Sequence, residues 1–321
     1  MRAAVYYETG SPDVLRYEEV PDPVCPPGGV VIDVRAIGIE GGDLGNRARG
    51  AMGARPHIVG YNCAGVIREV AADVTNRRPG DRVTALMMNG SHAERVAVSA
   101  AQTWLVPDGL SFEHAACVPV AWGTAHDCVF EFGRLQPGES VLIQAGASGV
   151  GLACIQLAKR GGATVYATAS REKLDRLRQL GVDHGIAYRE VDFVAAVSGL
   201  TGGSGVNLVI DAVGADTLQR SLFCLAYRGR AITVGNASRG DLHIDPAPLS
   251  AGNRSLTGVF FGAEVVMQTA RVRAMLDNVL RDLAQGTLRV IVDRTYPLAE
   301  AAAAHAYAES RAAFGRVVLI P

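Results

Sequence analysis

The residues of this chain whose spacing most directly suggests chemistry are the glycines of Gly146-Ala147-Ser148-Gly149-Val150-Gly151. An apolar run, Val141-Leu142-Ile143, precedes them, and Leu152, Ile155, Leu157 and Ala158 recur after them at helical spacing. That order is a strand, a sharp turn and the start of a helix. Amides at a helix start have no partner inside the helix and face any phosphate set against them. The dinucleotide fingerprint is Gly-x-Gly-x-x-Gly, and positions 146, 148 and 151 here are Gly, Ser and Gly. With the middle glycine absent, the context carries the reading. A second strand over 164–168 begins after Gly161-Gly162, and a second helix over 172–180 follows.

The end of that second strand separates the two nicotinamide cofactors. An NAD site carries an acidic residue there, which bonds the ribose 2′-hydroxyl. Thr168 and Ala169 hold the place here, and Ser170, Arg171 and Lys173 follow. A hydroxyl and two cations suit a 2′-phosphate, which a carboxylate would repel. One hydrogen bond to a charged group is worth about 1.5–3 kcal/mol, or roughly 10- to 150-fold in affinity. A basic pair alone would be a solvated helix turn; together with the missing carboxylate it points to NADPH.

These groups need elements to position them. The 321 residues allow two domains, and 49% hydrophobic content supports a large core. Residues 1 to 120 read as mostly β, with strand-like runs at 2–7, 30–37, 64–70, 82–85 and 93–98. Turn clusters such as Pro26-Pro27-Gly28-Gly29 and Asn89-Gly90-Ser91 separate them, which suggests a compact barrel. A helix over 122–132 opens the alternating part. Strands at Val206–Asp211 and 230–234 then alternate with helices near 192–199 and 216–226, and 255–261 reads as a last strand. Alternation of this kind implies a parallel, doubly wound sheet, an α/β fold. The tail reads as a helix over 264–285, a strand over 290–295, a helix over 299–310 and a closing strand at 316–320. It is expected to return to the first domain. The organisation is therefore 1–120 with 264–321 as a discontinuous catalytic domain, and 121–263 as the nucleotide domain.

Composition excludes several functions. Lys+Arg 31 against Asp+Glu 32 gives a net charge of -1, so neither nucleic acid nor an anionic membrane has electrostatic support. No apolar run reaches membrane-spanning length, and the N-terminus lacks a signal-peptide core. The six cysteines are scattered with no Cys-x-x-Cys pair, as expected of reduced thiols in a cytoplasmic protein. A nucleophile elbow at 146–150 fails because position 150 is valine.

The chain resembles the zinc-independent quinone oxidoreductase branch of the medium-chain dehydrogenase/reductase superfamily. The resemblance covers nearly the whole chain. It rests on Arg78-Pro79-Gly80-Asp81-Arg82-Val83, the run 141–151, Leu200-Thr201-Gly202-Gly203-Ser204-Gly205-Val206 and Phe314-Gly315-Arg316-Val317-Val318-Leu319. It implies a GroES-like β-barrel plus a Rossmann domain, with the active site in the cleft between them. It also implies NADPH as hydride donor and quinones or α,β-unsaturated carbonyl compounds as acceptors; many members are dimers or tetramers, and a homodimer is expected here. Positions matching Lys173, Tyr188 and Arg311 bind the cofactor's adenosine phosphate or its surroundings in the family.

Zinc-dependent relatives hold the metal at positions that align with Glu40, Tyr61 and Val120 of this chain. Valine supplies no donor, and zinc needs several N, S or O ligands at short distances. No metal is therefore expected.

Hydride chemistry belongs to the cofactor, and the protein supplies position, dryness and a stabiliser for the oxyanion. The nicotinamide is expected at the carboxyl edge of the sheet, near Thr124, Val213, Gly235, Asn236 and Phe260. The Phe261 amide is expected to bond the carboxamide, as a similar segment does in the family. From the barrel, the polar candidates are Glu40, Asp43, Tyr61, Asn62 and His92. Family members often carry Asn where Glu40 stands, and Tyr where Gly45 stands. Tyr61 is either the replacement proton donor or a packing tyrosine. Asp43 reads as a hydrogen-bonding residue near the cofactor, and His92 as a turn histidine. Cys63, beside this group, is a candidate reactive thiol if exposed. Quinone reduction can also draw its protons from water.

Two rival readings remain. An enoyl-thioester reductase would need positive charge for a long acyl carrier, for which Arg47, Arg49 and Arg55 are available. An NADPH-binding sensor or structural protein would need no catalytic group.

Overall fold

The computed structural model describes residues 1–321, which divide into two compact units: Met1–Gly123 with Val265–Pro321, and Thr124–Glu264.

The first unit is built on the ten-residue strand Gly29–Gly38, buried along most of its length. One edge of this strand pairs antiparallel with Asn62–Val70. The other edge takes Arg95–Ser99 along its first half. At its end it takes the last strand, Arg316–Ile320, in register Val318 with Gly38 and Leu319 with Ile37. The tail thus closes a seven-stranded sheet begun some 280 residues earlier. Val30, Ile32, Ile37, Val59, Cys63, Ile67, Val83 and Leu319 lie in its core. A separate three-stranded sheet holds Arg2–Tyr6 between Arg16–Glu19 and His57–Ile58.

The second unit is a six-stranded parallel sheet. In spatial order its strands are His184–Ala187, Thr164–Ala169, Ser140–Ile143, Val206–Asp211, Leu225–Thr233 and Ser255–Gly258. In chain order that is 3-2-1-4-5-6, the doubly wound arrangement. Val141, Leu142 and Ile143 are at most 1% exposed. A strand covered on both faces reads as an unbroken apolar run, not an alternating one. The order reverses beside Ser140–Ile143, so its carboxyl end and that of Val206–Asp211 form the switch point.

Some elements depart from the sequence reading. His184–Ala187 forms a strand that its short, glycine-containing sequence did not announce. Gly41–Arg49 is a helix despite three glycines. The run expected as one strand over 255–261 stops at Gly258, and Phe261 starts a helix, Phe261–Met267. The next helix, Thr269–Ala284, is separate from it. The expected helix over 172–180 is a 3-10 turn, Arg171–Lys173, followed by Leu174–Arg178. Past His126 the helix Pro119–His126 gives way to a π-helical turn, Asp127–Glu131.

Candidate functional site

In the Thr124–Glu264 unit the glycine-rich turn leads into the helix Gly149–Arg160. Ser148, at the position of the missing glycine, is its N-cap, and Ser148 Oγ accepts from the Gly151 amide at 3.1 Å. The Gly149 and Val150 amides fall in the first turn, where no helical acceptor exists. Gly151 is fixed by close approach. A Cβ there would lie 2.4 Å from the Ala145 carbonyl oxygen and 2.8 Å from that of Gly146. Ala145 takes φ +53°, a left-handed conformation, and a polar chain holds it there. Its amide donates to Thr168 Oγ1, Thr168 Oγ1 donates to Gln144 Oε1 at 2.6 Å, and Gln144 Nε2 donates to Ser221 Oγ. Gly146 and Ala147 are buried behind this bend.

At the end of the second strand, Ala169 is followed by Ser170, whose hydroxyl donates to Glu172. Arg171 is exposed and bonded through its guanidinium to Glu190. Arg189 lies over the ring of Tyr188, with Nε 3.3 Å from Oη. Lys173 and Arg189 both act on the Glu172 carboxylate, which is held below the usual range first by the Ser170 bond. Ser170, Lys173 and Arg189 thus share Glu172, Arg171 holds Glu190, and Arg189 ties Tyr188 to the group. Arg189, Glu172 and Glu190 are additions that chain order did not flag. The cluster is cationic but already contains two carboxylates.

At the switch point Asp211 Oδ1 accepts from the Val213 and Gly214 amides, and burial pushes its carboxyl up to about 6. This fixes the backbone at Val213. Asn236 is satisfied inside its own loop, donating to the Gly240 carbonyl and accepting from Ser238. Gly235 beside it is exposed, Thr124 is buried, Phe260 is 68% exposed, and Phe261 is 5% exposed.

In the other unit, Glu40, Asp43, Tyr61 and Asn62 come together around the helix Gly41–Arg49. Both carboxylate oxygens of Glu40 accept from Arg316, Oε2 from Nη1 at 2.9 Å and Oε1 from Nη2. Glu40 is 4% exposed. Burial pushes its carboxyl up, and Arg316 pulls against that shift. Burial would also discharge Arg316, but the carboxylate overrides it and holds the guanidinium charged. Asp43 Oδ2 accepts from the Glu40 amide at 2.8 Å, while Oδ1 is buried without a partner. Burial holds the Asp43 carboxyl well above its ordinary range. Asn62 donates to the Gly38 carbonyl at 2.8 Å, and its Oδ1 is buried and unpartnered.

The Tyr61 hydroxyl accepts from Asn46 Nδ2 at 2.9 Å. Its ring lies where a side chain at 42 would go: a Cβ on Gly42 would meet Cε2 at 2.2 Å and Oη at 2.9 Å. Burial raises the phenol's pKa, Asp43 adds to the shift, and Asn46 opposes it. His92 packs against Val59 and Gly60, the residues before Tyr61, and its amide donates to the Val59 carbonyl at 3.1 Å. Its Nε2 is 3.0 Å from Nε2 of His305, and both are buried. Arg311 is exposed, at φ +61°, after the helix Ala301–Glu309. Cys63 is fully buried, and burial pushes its thiol up to about 12, which leaves it inert.

The donor set does not suit zinc. Glu40 is committed to Arg316, Val120 offers no donor, and no group of three or more His, Cys, Asp or Glu side chains is arranged to hold a metal.

Residues 26–108 match the alcohol dehydrogenase GroES-like domain family, and residues 149–281 match the zinc-binding dehydrogenase family. A 2-haloacrylate reductase from a Burkholderia species is 34% identical over 99% of this chain and 98% of its own. The chain belongs to the medium-chain dehydrogenase/reductase superfamily, in its quinone oxidoreductase-like branch. The Escherichia coli quinone oxidoreductase solved with NADPH superposes at a TM-score of 0.95, with 29% identity and all of both chains covered. A mycobacterial protein, Rv1454c, also solved with NADPH, superposes at 0.94 with 34% identity over all of both chains. The first unit is accordingly the GroES-like domain of this superfamily, and the second its Rossmann domain.

Proposed function

We propose that this medium-chain reductase binds NADPH and delivers hydride to a small conjugated carbonyl compound, a quinone or an enone, without zinc. The observation that carries the reading is the end of strand Thr164–Ala169. Alanine stands where a 2′-hydroxyl partner would be acidic, and Ser170, Lys173, Tyr188 and Arg189 group beside it. The turn fits a pyrophosphate. The Gly149 and Val150 amides start a twelve-residue helix, and Gly151 leaves no Cβ to crowd the bend. When bound, the cofactor supplies the hydride.

The chain's own residues do the rest. Asp211 sets the Val213–Gly214 turn for the nicotinamide end, with Thr124, Gly235, Asn236, Phe260 and the Phe261 amide as further contacts. Arg311, exposed after the helix Ala301–Glu309, is carried forward from the family resemblance as a further candidate for the adenosine phosphate. Tyr61 gives a proton to the substrate oxygen as charge develops there. The name of the Burkholderia relative adds 2-haloacrylates, which are conjugated acids, to the candidate acceptors. The protein works in the cytoplasm as a homodimer through the edge strand Ser255–Gly258. None of its helices is long and apolar enough to cross a membrane.

Fluorescence titration with NADPH, NADH and 2′-phosphorylated AMP tests the cofactor assignment. The reading expects tight NADPH binding and competition by the phosphorylated fragment. Equal affinity for NADH would overturn it.

A further inference from the structure

We propose that Asn46 is a positioning residue that turns the Tyr61 phenol into an aimed hydrogen donor, and that Gly42 is what admits the ring. The inference rests on Tyr61 being the proton donor of the proposed reduction. A phenol has one hydrogen to give and two lone pairs to receive with. The Asn46 contact is made through Nδ2, which only donates, at 2.9 Å from Oη. The phenol therefore spends a lone pair on Asn46 and keeps its hydrogen for another acceptor. Had the contact been to a carboxylate, that hydrogen would be consumed.

The ring's place is equally specific. It occupies the volume that a Cβ at Gly42 would need, 2.2 Å from such an atom. Gly42 and Asn46 are four residues apart on the helix Gly41–Arg49, so they share a face. One provides the space for the ring and the other anchors its oxygen. Position 45, on the same helix, is glycine and offers no aromatic of its own.

In the step itself, a bound nicotinamide would supply the hydride: its C4–H bond would break, leaving the ring oxidised, and that electron pair would form the new C–H bond at the substrate carbon. The carbon–carbon π bond breaks, and charge moves to the carbonyl oxygen. The Tyr61 O–H bond then breaks and its proton goes to that oxygen. The phenolate that remains keeps the Asn46 hydrogen bond, and water returns the proton.

The test begins with the protein free of cofactor. Ultraviolet difference titration of tyrosinate, with Tyr61→Phe as the blank, isolates the Tyr61 ionisation. A hydrogen bond to a charged group is lost in Asn46→Ala, so the ionisation moves up by about 1–2 pH units. In Asn46→Asp it moves up further, because the carboxylate takes the phenol's hydrogen. With cofactor and an enone, Asn46→Ala, Gly42→Ala and Tyr61→Phe each lower kcat by about 10- to 100-fold with little change in KM for NADPH. The Asn46→Ala loss vanishes in a Tyr61→Phe background.

An unmoved Tyr61 ionisation in Asn46→Ala overturns the inference. So does full activity of Tyr61→Phe, or an Asn46→Ala loss that persists without the phenol. A wild-type protein that reduces nothing would instead overturn the reductase reading. An intact titration shift in that case would leave the hydrogen bond standing without its catalytic role.

Discussion

Arg316 grips both carboxylate oxygens of Glu40, across 276 residues of sequence, inside the barrel unit. Nη2 of the same guanidinium also donates to the Ile39 carbonyl at 2.8 Å. The position expected from the sequence to correspond to a zinc ligand is thus filled by a buried ion pair. Breaking a buried pair leaves one charge uncompensated and costs about 3–5 kcal/mol, whereas removing both charges costs far less. Arg316→Met is expected to lose that much stability in urea unfolding. Adding Glu40→Gln should restore most of it. A small effect of the single change would mean that the pair is not buried as described.

The Arg171–Glu190 pair sets a second expectation. Both side chains are exposed, and Glu190 competes with any 2′-phosphate for the guanidinium. Glu190→Gln should tighten NADPH a few-fold and leave NADH unchanged, since exposed pairs are weak. Lys173→Ala should weaken NADPH by roughly 10-fold or more, again sparing NADH. Calorimetric dissociation constants for both cofactors check this, and parallel losses would move the phosphate site elsewhere.

Gly151 offers a sharper structural test. The atoms a Cβ would meet are backbone carbonyl oxygens, which cannot rotate away. Gly151→Ala is expected to destabilise the protein by about 1–3 kcal/mol and to abolish NADPH binding. Normal NADPH affinity in a folded variant would contradict the role given to this turn.

The buried histidine pair makes stability depend on pH. Burial lowers His92 to about 3. Burial, then the charges of His92 and Arg47, also lower His305. Unfolded, each binds its proton near pH 6.5. Between those values the unfolded chain holds more protons, so this contribution is complete above about pH 6.5 and is lost as pH falls. Asp43 and Asp211, raised by burial, act in the opposite direction. The comparison must therefore be with His92→Gln. The wild type should lose stability faster on acidification, by up to about 1.4 kcal/mol per unit for the one group. Identical pH profiles for the two proteins would contradict the burial of His92.

Much of the cofactor half was legible because its signals are local. Apolar runs, glycines and a missing carboxylate lie within about thirty residues of one another, and their order dictates a parallel sheet. The barrel half was not legible in the same way. Glycines at 41, 42 and 45 argue against a helix, yet Gly41–Arg49 is one because Asp43 and Arg47 are buried in tertiary contacts. Tertiary burial overrides propensity there. Glu40 was visible as a polar candidate, but its commitment to Arg316 was not. Tyr61 was visible too, whereas Asn46, fifteen residues away, becomes relevant only once the helix forms. His184–Ala187 escaped because four residues with a central glycine carry no period.

The decisive measurement is steady-state oxidation of NADPH, and of NADH in parallel, by chelator-treated protein. The acceptors are a simple quinone, a linear enone, a 2-haloacrylate and an enoyl-CoA. A quinone or conjugated carbonyl acceptor is expected to be reduced, with kcat/KM for NADPH at least about 10-fold above that for NADH and no effect of the chelator. Turnover that needs added zinc, a preference for NADH, or tight NADPH binding with every acceptor inert would contradict the proposed function.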